Sequence, residues 1–171
     1  MINKLPKIEL HCHLDGSVRV DTIIDIAKKE NIKLELYEKC DVEKLVQVPN
    51  DCTSLNEYLK RFDLANKVMQ SRENIKRVTF ELLEDAQKEN VKYIEVRFAP
   101  LLHLNGGLSI EEVIQSAIDG INEAEKMYDI KGNIILCCMR TMSEDDAILV
   151  VEEGKKFLNK GVVAIDLAGP E

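Results

Sequence analysis

The pattern of apolar and polar positions divides the chain into strand-like and helix-like stretches. Side chains at alternate positions of 7–16 fall on opposite faces, and 91–100, 133–140 and 162–169 are rich in β-branched and apolar residues. These patterns predict four strands. The segment 133–140 is apolar almost throughout, which is typical of a strand buried on both faces.

Between these strands, apolar residues recur every three to four positions, which predicts helices. The predicted starts are Arg19, the capping-box pattern of Ser54 and Glu57, Ser71, the capping box of Ser109 and Glu112, and Ser143. Residues 31–52 show no clear period and predict an irregular connection. The helix after Ser54 carries an apolar stripe, which by spacing alone indicates a core-facing surface. The stripe consists of Leu55, Tyr58, Leu59, Phe62, Ala65 and Met69.

Strands that alternate with helices predict an α/β fold with parallel pairing and right-handed crossovers. We find no domain boundary and treat residues 1–171 as one domain. Four parallel strands suit a complete doubly wound domain, and they equally suit half of an eight-stranded (β/α) barrel of the TIM-barrel type. Periodicity leaves both architectures open.

Charge and cysteine usage narrow the functional class. The formal net charge is −8, which argues against a nucleic-acid or anionic-membrane surface and favours a small-molecule partner. The cysteine count is odd at 5, with no C-x-x-C pair, no leader sequence and no bilayer-length apolar run. We therefore expect reduced thiols in the cytoplasm. The neighbours Cys137 and Cys138 are expected on opposite faces of one strand.

Polar side chains gather at or just after the predicted strand ends. His11, His13 and Asp15 share one face of the first strand by alternation. Arg97, Arg140 and Asp166 follow at later strand ends, and ligands bind at this edge in parallel α/β proteins. Two imidazoles one strand repeat apart are candidate metal ligands. An isolated H-x-H also occurs by chance, so the pattern alone leaves the metal site open.

Several motifs occur in a fixed order along the chain. They are LPKIEL at 5–10, HCHLDG at 11–16, SLNEYLKRFD at 54–63, YIEVRFAP at 93–100, LCCMR at 136–140 and IDLAGPE at 165–171. In this order they closely resemble the adenosine deaminase family. The resemblance implies a (β/α)8 barrel of which this chain carries the first four strands, the N-terminal half. It also implies one Zn2+ per complete site, and hydrolysis of adenosine or deoxyadenosine, in purine salvage, to the inosine product and ammonia.

The resemblance assigns roles to particular residues. His11 and His13 match two zinc ligands, and His13 also lies against the nucleoside. Asp15 matches the residue that takes a ribose hydroxyl, and Gly169 matches the glycine whose backbone meets the purine ring. An apolar helix that closes over the substrate is matched by Leu55, Tyr58, Leu59 and Phe62. The zinc activates the water that attacks C6 of the purine, and a carboxylic acid protonates the ring.

The chain also departs from the family pattern. A further zinc histidine, the proton-transferring glutamate and the later aspartates lie beyond the fourth strand in the family, so no catalytic proton donor is predicted here. Glu171 is not that glutamate, and His103 matches no ligand and is expected to be an exposed loop residue. Arg97 and Arg140 are interpreted as structural supports. We expect the isolated chain to be inactive, with the second half of the barrel as its missing partner.

Two other hypotheses stay open at this point. The first is a relative that acts on free adenine. Such relatives tend to carry glutamate where this chain has Asp15, whose shorter side chain leaves room for a ribose hydroxyl. The second is a non-catalytic half-barrel that acts as a binding module. Unpaired strand edges and an open apolar interior argue against a stable isolated half-barrel.

Overall fold

The computed structural model describes residues 4–34 and 37–169. Glu171, which we distinguished from the catalytic glutamate, lies outside the described residues. Four strands form one sheet in the order β1-β2-β3-β4, and each neighbouring pair is parallel. The strands are β1 (Lys7–His13), β2 (Val91–Phe98), β3 (Lys131–Met139) and β4 (Val162–Ala168). The predicted parallel α/β fold is confirmed.

Seven α-helices accompany the sheet in the described part of the chain. They are α1 (Val20–Lys29), α2 (Lys39–Val46), α3 (Leu55–Leu59), α4 (Asp63–Val68), α5 (Arg72–Lys88), α6 (Ile110–Met127) and α7 (Glu144–Lys155). Short 3-10 turns occupy Lys60–Phe62 and Pro100–His103. The predicted capping box of Ser109 and Glu112 is present at the start of α6, and the Ser71 and Ser143 side chains cap α5 and α7.

Two helical segments differ from the prediction. The connection expected to be irregular contains α2, which the pattern concealed because Val42 is its one buried residue. The single helix expected after Ser54 is interrupted by the 3-10 turn at Lys60–Phe62. Beyond this turn, the stripe residues Ala65 and Met69 are buried, whereas Leu55 and Tyr58 before it are exposed, so the predicted stripe serves two surfaces instead of one.

The core lies between the sheet and the helices. On the helix side, Ile94 and Val96 of β2 and Ile134 and Leu136 of β3 are all at most 1% exposed. On the opposite face of β3, Asn133, Ile135 and Met139 are only partly buried, although Cys137 is buried. The prediction that β3 is buried on both faces was therefore wrong, because the helices pack against only one side of the sheet.

Apolar side chains at both edge strands lack cover among the described residues. Ile8 and Leu10 of β1 are 69% and 56% exposed. The β4 residues Val163, Ile165 and Leu167 are 41–52% exposed. Exposed apolar rows on unpaired strands are typical of surfaces that another element covers. No helix within the described ranges combines the length and apolar character needed to cross a bilayer.

Candidate active site

The first strand brings three candidate side chains together. The rings of His11 and His13 have centroids 5.4 Å apart, and His13 Nδ1 lies 3.6 Å from Asp15 Oδ1. The following Leu14 side chain is fully buried in the core. The register of the β1–β2 pair shifts between Glu9 and Cys12, immediately around His11. Such irregularities in strand pairing can re-aim side chains next to functional sites.

Arg97 on β2 connects the first strand to the far edge of the sheet. Its Nη1 lies 2.5 Å from His11 Nε2, and its Nε donates to Cys137 Sγ at 3.4 Å. The same guanidinium forms an ion pair with Asp166 on β4. Arg97 is only 6% exposed, so its charge is stabilised mainly by these contacts. The interpretation of Arg97 as a support agrees with this position.

Cys137 was not among the predicted site residues, yet it lies beside Arg97 in the cavity. Burial raises the pKa of its thiol to about 11, so the thiol stays protonated at neutral pH. Cys138 points to the helix side, where its Sγ approaches the Ala147 carbonyl at 3.7 Å. The two cysteines therefore face opposite ways, as predicted. The alternation of side chains along β3, combined with the alignment of β3 against β2, could have predicted that Cys137 lies at the site.

Gly169 directly follows the fourth strand and has a positive φ of 107°. This conformation favours glycine over residues with a Cβ. Arg140 secures the turn, because its backbone N–H donates to Ala168 O at 2.8 Å and its Nη1 donates to Gly169 O at 3.3 Å. Arg140 thus supports the position that faces the cavity, in agreement with its interpretation as structural.

An aromatic residue of the segment after Ser54 contacts His13. The Phe62 ring lies 5.9 Å from the His13 ring and 5.4 Å from the Tyr58 ring, between centroids. A Cβ built on Gly16 would lie 3.0 Å from Phe62 Cε1, so glycine at this turn gives the Phe62 ring room. Leu55, the first residue of the predicted stripe, is 54% exposed.

These elements line an open cavity of about 360 Å³ at the carboxyl edge of the sheet. Its lining includes His13, Asp15, Phe62, Arg97, Cys137 and Gly169. The three residues predicted to contact substrate therefore line one volume, although they come from opposite edges of the sheet. The volume falls in the lower part of the range of small-molecule sites.

His103 does not lie on an exposed loop, so that prediction was wrong. The side chain is fully buried, in the 3-10 turn that follows β2 and beside the Phe98 ring, with centroids 5.6 Å apart. Burial lowers the pKa of His103 to about 4. Its Nδ1 lies 3.0 Å from Met69 O, and its Nε2 has no hydrogen-bond partner among the described residues. The local sequence could not predict the burial of His103, because the burial depends on how the turn directs the ring into the protein interior.

The donor set fits part of a zinc site. His11 and His13 offer two neighbouring imidazoles, the kind of nitrogen that zinc prefers. Across residues 4–34 and 37–169, no group of three or more His, Cys, Asp or Glu side chains could hold a metal ion. A closed site therefore needs ligands in addition to these two.

Comparisons with known proteins agree with this geometry. The adenosine deaminase family model matches residues 6–171. A curated adenosine deaminase from Clostridium botulinum strain 657 is 64% identical over 168 residues, which cover 98% of this chain and 51% of that protein. The chain thus spans about half the length of the curated relatives it matches.

Solved structures show the same relationship. The chain superposes on Arabidopsis ADAL complexed with GMP with a TM-score of 0.82 and 31% identity, over 98% of this chain and 51% of that one. An amidohydrolase from Burkholderia ambifaria with bound Zn gives a TM-score of 0.85 at 23% identity, over 99% and 46% of the two chains. The fold is that of the TIM-barrel enzymes, present here as four strands. The chain belongs to the adenosine deaminase family.

Proposed function

We propose that this chain forms the N-terminal half of a zinc-dependent adenosine deaminase and supplies the nucleoside-binding side of its active site. The observation that carries the proposal is the convergence of His13, Asp15 and Gly169 on one cavity, with His11 directly beside it. Family membership and 64% identity to curated adenosine deaminases support the reaction class.

The polar and apolar parts of the cavity suit the two parts of a nucleoside. The Asp15 carboxylate can accept a hydrogen bond from a ribose hydroxyl. The backbone at Gly169 lies at the opposite end of the sheet, where we place the purine edge. The rings of Tyr58 and Phe62, together with Leu59, cover the apolar side of the cavity. We propose that this cover excludes water from the bound base.

We assign His11 and His13 to the zinc ion. Zinc, when bound, supplies activated water for attack on the purine. Because Arg97 can only donate hydrogen bonds, the His11 Nε2 beside it accepts from Nη1. Zinc would compete with Arg97 for this lone pair. We assign the remaining ligands and the proton-transferring acid to the second half of the barrel. The isolated chain is accordingly proposed to be inactive.

The sheet edges support a second half as the partner. The outer edges of β1 and β4 have no neighbouring strand among the described residues, and their apolar side chains are exposed. Four further parallel strands would pair both edges and close a barrel. A second half would thereby cover Ile8, Leu10 and Ile165 and complete the metal site.

Two other substrate classes need to be weighed against adenosine. Arabidopsis ADAL has been solved with GMP and with IMP, which supports a purine as the small-molecule partner. A phosphate near Asp15 would meet the carboxylate's negative charge, whereas a hydroxyl would donate to it. Free adenine has no ribose hydroxyl, so it would leave the Asp15 carboxylate without a hydrogen-bond donor from the ligand. The charge at Asp15 therefore favours the nucleoside.

The cellular setting forms part of the proposal. All five cysteines are free, and two of them, Cys137 and Cys138, are buried. Free thiols are the norm in a reducing compartment. We therefore propose a cytoplasmic setting.

The proposal is tested by supplying the second half. Residues 1–169 of this chain are joined to the corresponding second half of the Clostridium botulinum relative, and this fusion is called the completed barrel. We expect it to deaminate adenosine in preference to adenine and AMP, followed by adenosine absorbance and ammonia release. Preference for adenine or AMP would reject the substrate assignment. A stable, monodisperse isolated chain without nucleoside affinity would instead favour the binding-module hypothesis.

A further inference from the structure

The buried ring of His103 has a defined tautomer. Its Nδ1 lies 3.0 Å from the Met69 carbonyl oxygen. A carbonyl oxygen only accepts hydrogen bonds, so Nδ1 carries the hydrogen and donates it. In the neutral ring Nε2 then bears a lone pair. This Nε2 is buried and has no partner among the described residues, although buried polar atoms are almost always hydrogen-bonded.

Asp15 has an unpartnered atom of the same kind. Its Oδ1 is also buried and without a hydrogen bond from any described residue. The His13 Nδ1 atom lies 3.6 Å from this oxygen, which exceeds hydrogen-bond distance. The Asp15 side chain is only 13% exposed. Its negative charge also acts on His103, where it opposes the burial that lowers the pKa of the ring.

Two acceptors cannot satisfy each other, so each of them requires a donor. A buried acceptor without a partner destabilises the folded protein. A ribose hydroxyl carries one hydrogen and can satisfy one acceptor, whereas a water molecule carries two and can satisfy both. The shared chemistry is an O–H donor, and the number of hydrogens favours water.

We propose that His103 is a positioning residue for Asp15, acting through a buried O–H donor, a water molecule, that bridges His103 Nε2 and Asp15 Oδ1. The bridge holds one carboxylate oxygen away from the cavity and leaves Oδ2 directed at the ribose hydroxyl. The role of Asp15 in this inference rests on the proposed function. The bridge itself is a property of this chain and can be observed without turnover.

Two substitutions of His103 test the roles of its two ring nitrogens separately. In His103→Asn the amide can still donate to Met69 O, but the acceptor at the Nε2 position is lost. In His103→Gln the longer amide restores a polar group near that position. Both are made in the completed barrel, and the thermal unfolding midpoint reports whether each variant folds.

The kinetic test uses adenosine and the deoxyadenosines that lack each ribose hydroxyl in turn. The analogue whose KM exceeds that of adenosine most with the wild-type completed barrel identifies the ribose hydroxyl that Asp15 binds. We expect His103→Asn to raise KM for adenosine about tenfold, the equivalent of one lost hydrogen bond, with kcat within about twofold. KM for that analogue should stay unchanged, and His103→Gln should recover most of the loss for adenosine. Equal losses on all substrates, or no loss on adenosine, would overturn the positioning role.

Two measurements on the wild-type completed barrel keep the inference testable if the variants do not fold. Nitrogen-15 NMR should show the Nδ1–H tautomer of His103, and the Nε2–H tautomer would contradict it. A nucleoside-free crystal structure should show an ordered water within hydrogen-bond distance of His103 Nε2 and Asp15 Oδ1. A site that fills only when a nucleoside is bound would assign the donor to the ribose and reject the water. Both results are independent of whether adenosine is the substrate.

Discussion

Arg97 Nη1 lies 2.5 Å from His11 Nε2 and thereby links a candidate metal ligand on β1 to the charge of Asp166 on β4. The guanidinium only donates hydrogen bonds, so its Nη1 donates to the His11 Nε2 lone pair and fixes the orientation of the ring. His11, Arg97 and Asp166 lie on three different strands, so their contacts depend on the register of the whole sheet.

The ion pair of Arg97 with Asp166 predicts a coupled loss of stability. Because Arg97 is buried while Asp166 is about one-third exposed, we expect Arg97→Met to lower the free energy of unfolding of the completed barrel by about 2 kcal/mol. Denaturant unfolding measures the change. A double-mutant cycle with Asp166→Asn provides the control: the double variant should lose less than the two single losses combined. Simple additivity would show that the pair contributes no coupling.

The buried His103 predicts an acid-dependent loss of stability. Its folded-state pKa of about 4 lies below the ordinary value of 6.5, so the unfolded chain binds the proton more tightly. The stabilisation is complete above pH 6.5 and is lost as pH falls towards 4, by on the order of 3 kcal/mol. Unfolding of the completed barrel at a series of pH values measures this loss. His103→Asn, which keeps the carboxylates, should show a shallower slope between pH 6.5 and 4, and an unchanged slope would refute the assignment.

The close approach of Gly16 to Phe62 predicts a selective effect on binding. The added methyl group of Gly16→Ala would lie 3.0 Å from Phe62 Cε1, which displaces the ring that covers His13. We expect KM for adenosine to rise about three- to tenfold, in line with a weakened apolar contact. The matched control is Gly107→Ala, which meets no atom within 4 Å but has a positive φ of 87°. It should lower stability and leave KM unchanged. Equal KM values for both variants would contradict the role of Phe62 as cover.

The cysteines should differ in their reactivity. Cys40 is exposed, whereas burial raises the pKa of Cys137 to about 11. Because the thiolate is the reactive form, iodoacetamide near pH 8 should modify Cys40 well before Cys137 in the folded completed barrel. Mass spectrometry of timed digests measures the order. Denatured protein, in which both thiols react, is the control. Early modification of Cys137 would show that the cavity is open to solvent.

Local periodicity was sufficient for the strands and for the first cluster of the site. The alternation that places His11 and His13 on one face depends only on the geometry of a single strand, and Asp15 follows in the turn directly after that strand. The capping box of Ser109 and Glu112 is equally local, and both predictions agree with the structure.

Features set by tertiary packing could not be predicted in the same way. His103 appeared to be a loop residue because its burial depends on the contact with Met69, 34 positions earlier. The proximity of Arg97 to Cys137 and Asp166 depends on the register of three strands. The helix expected after Ser54 is interrupted at Lys60–Phe62, although no proline or glycine in this segment predicts a break. In each case the deciding neighbour is distant in sequence.

Metal analysis of the completed barrel tests the central claim most directly, because this chain has only three histidines. We predict about one zinc per molecule, and a large loss of zinc together with loss of adenosine deamination in His11→Ala and in His13→Ala. His103→Asn is the matched control and should retain its zinc, since its ring is buried and bonded to Met69. Full zinc occupancy in both His11→Ala and His13→Ala, or loss of zinc only in His103→Asn, would contradict the assignment of the first strand as the metal-binding side of the site.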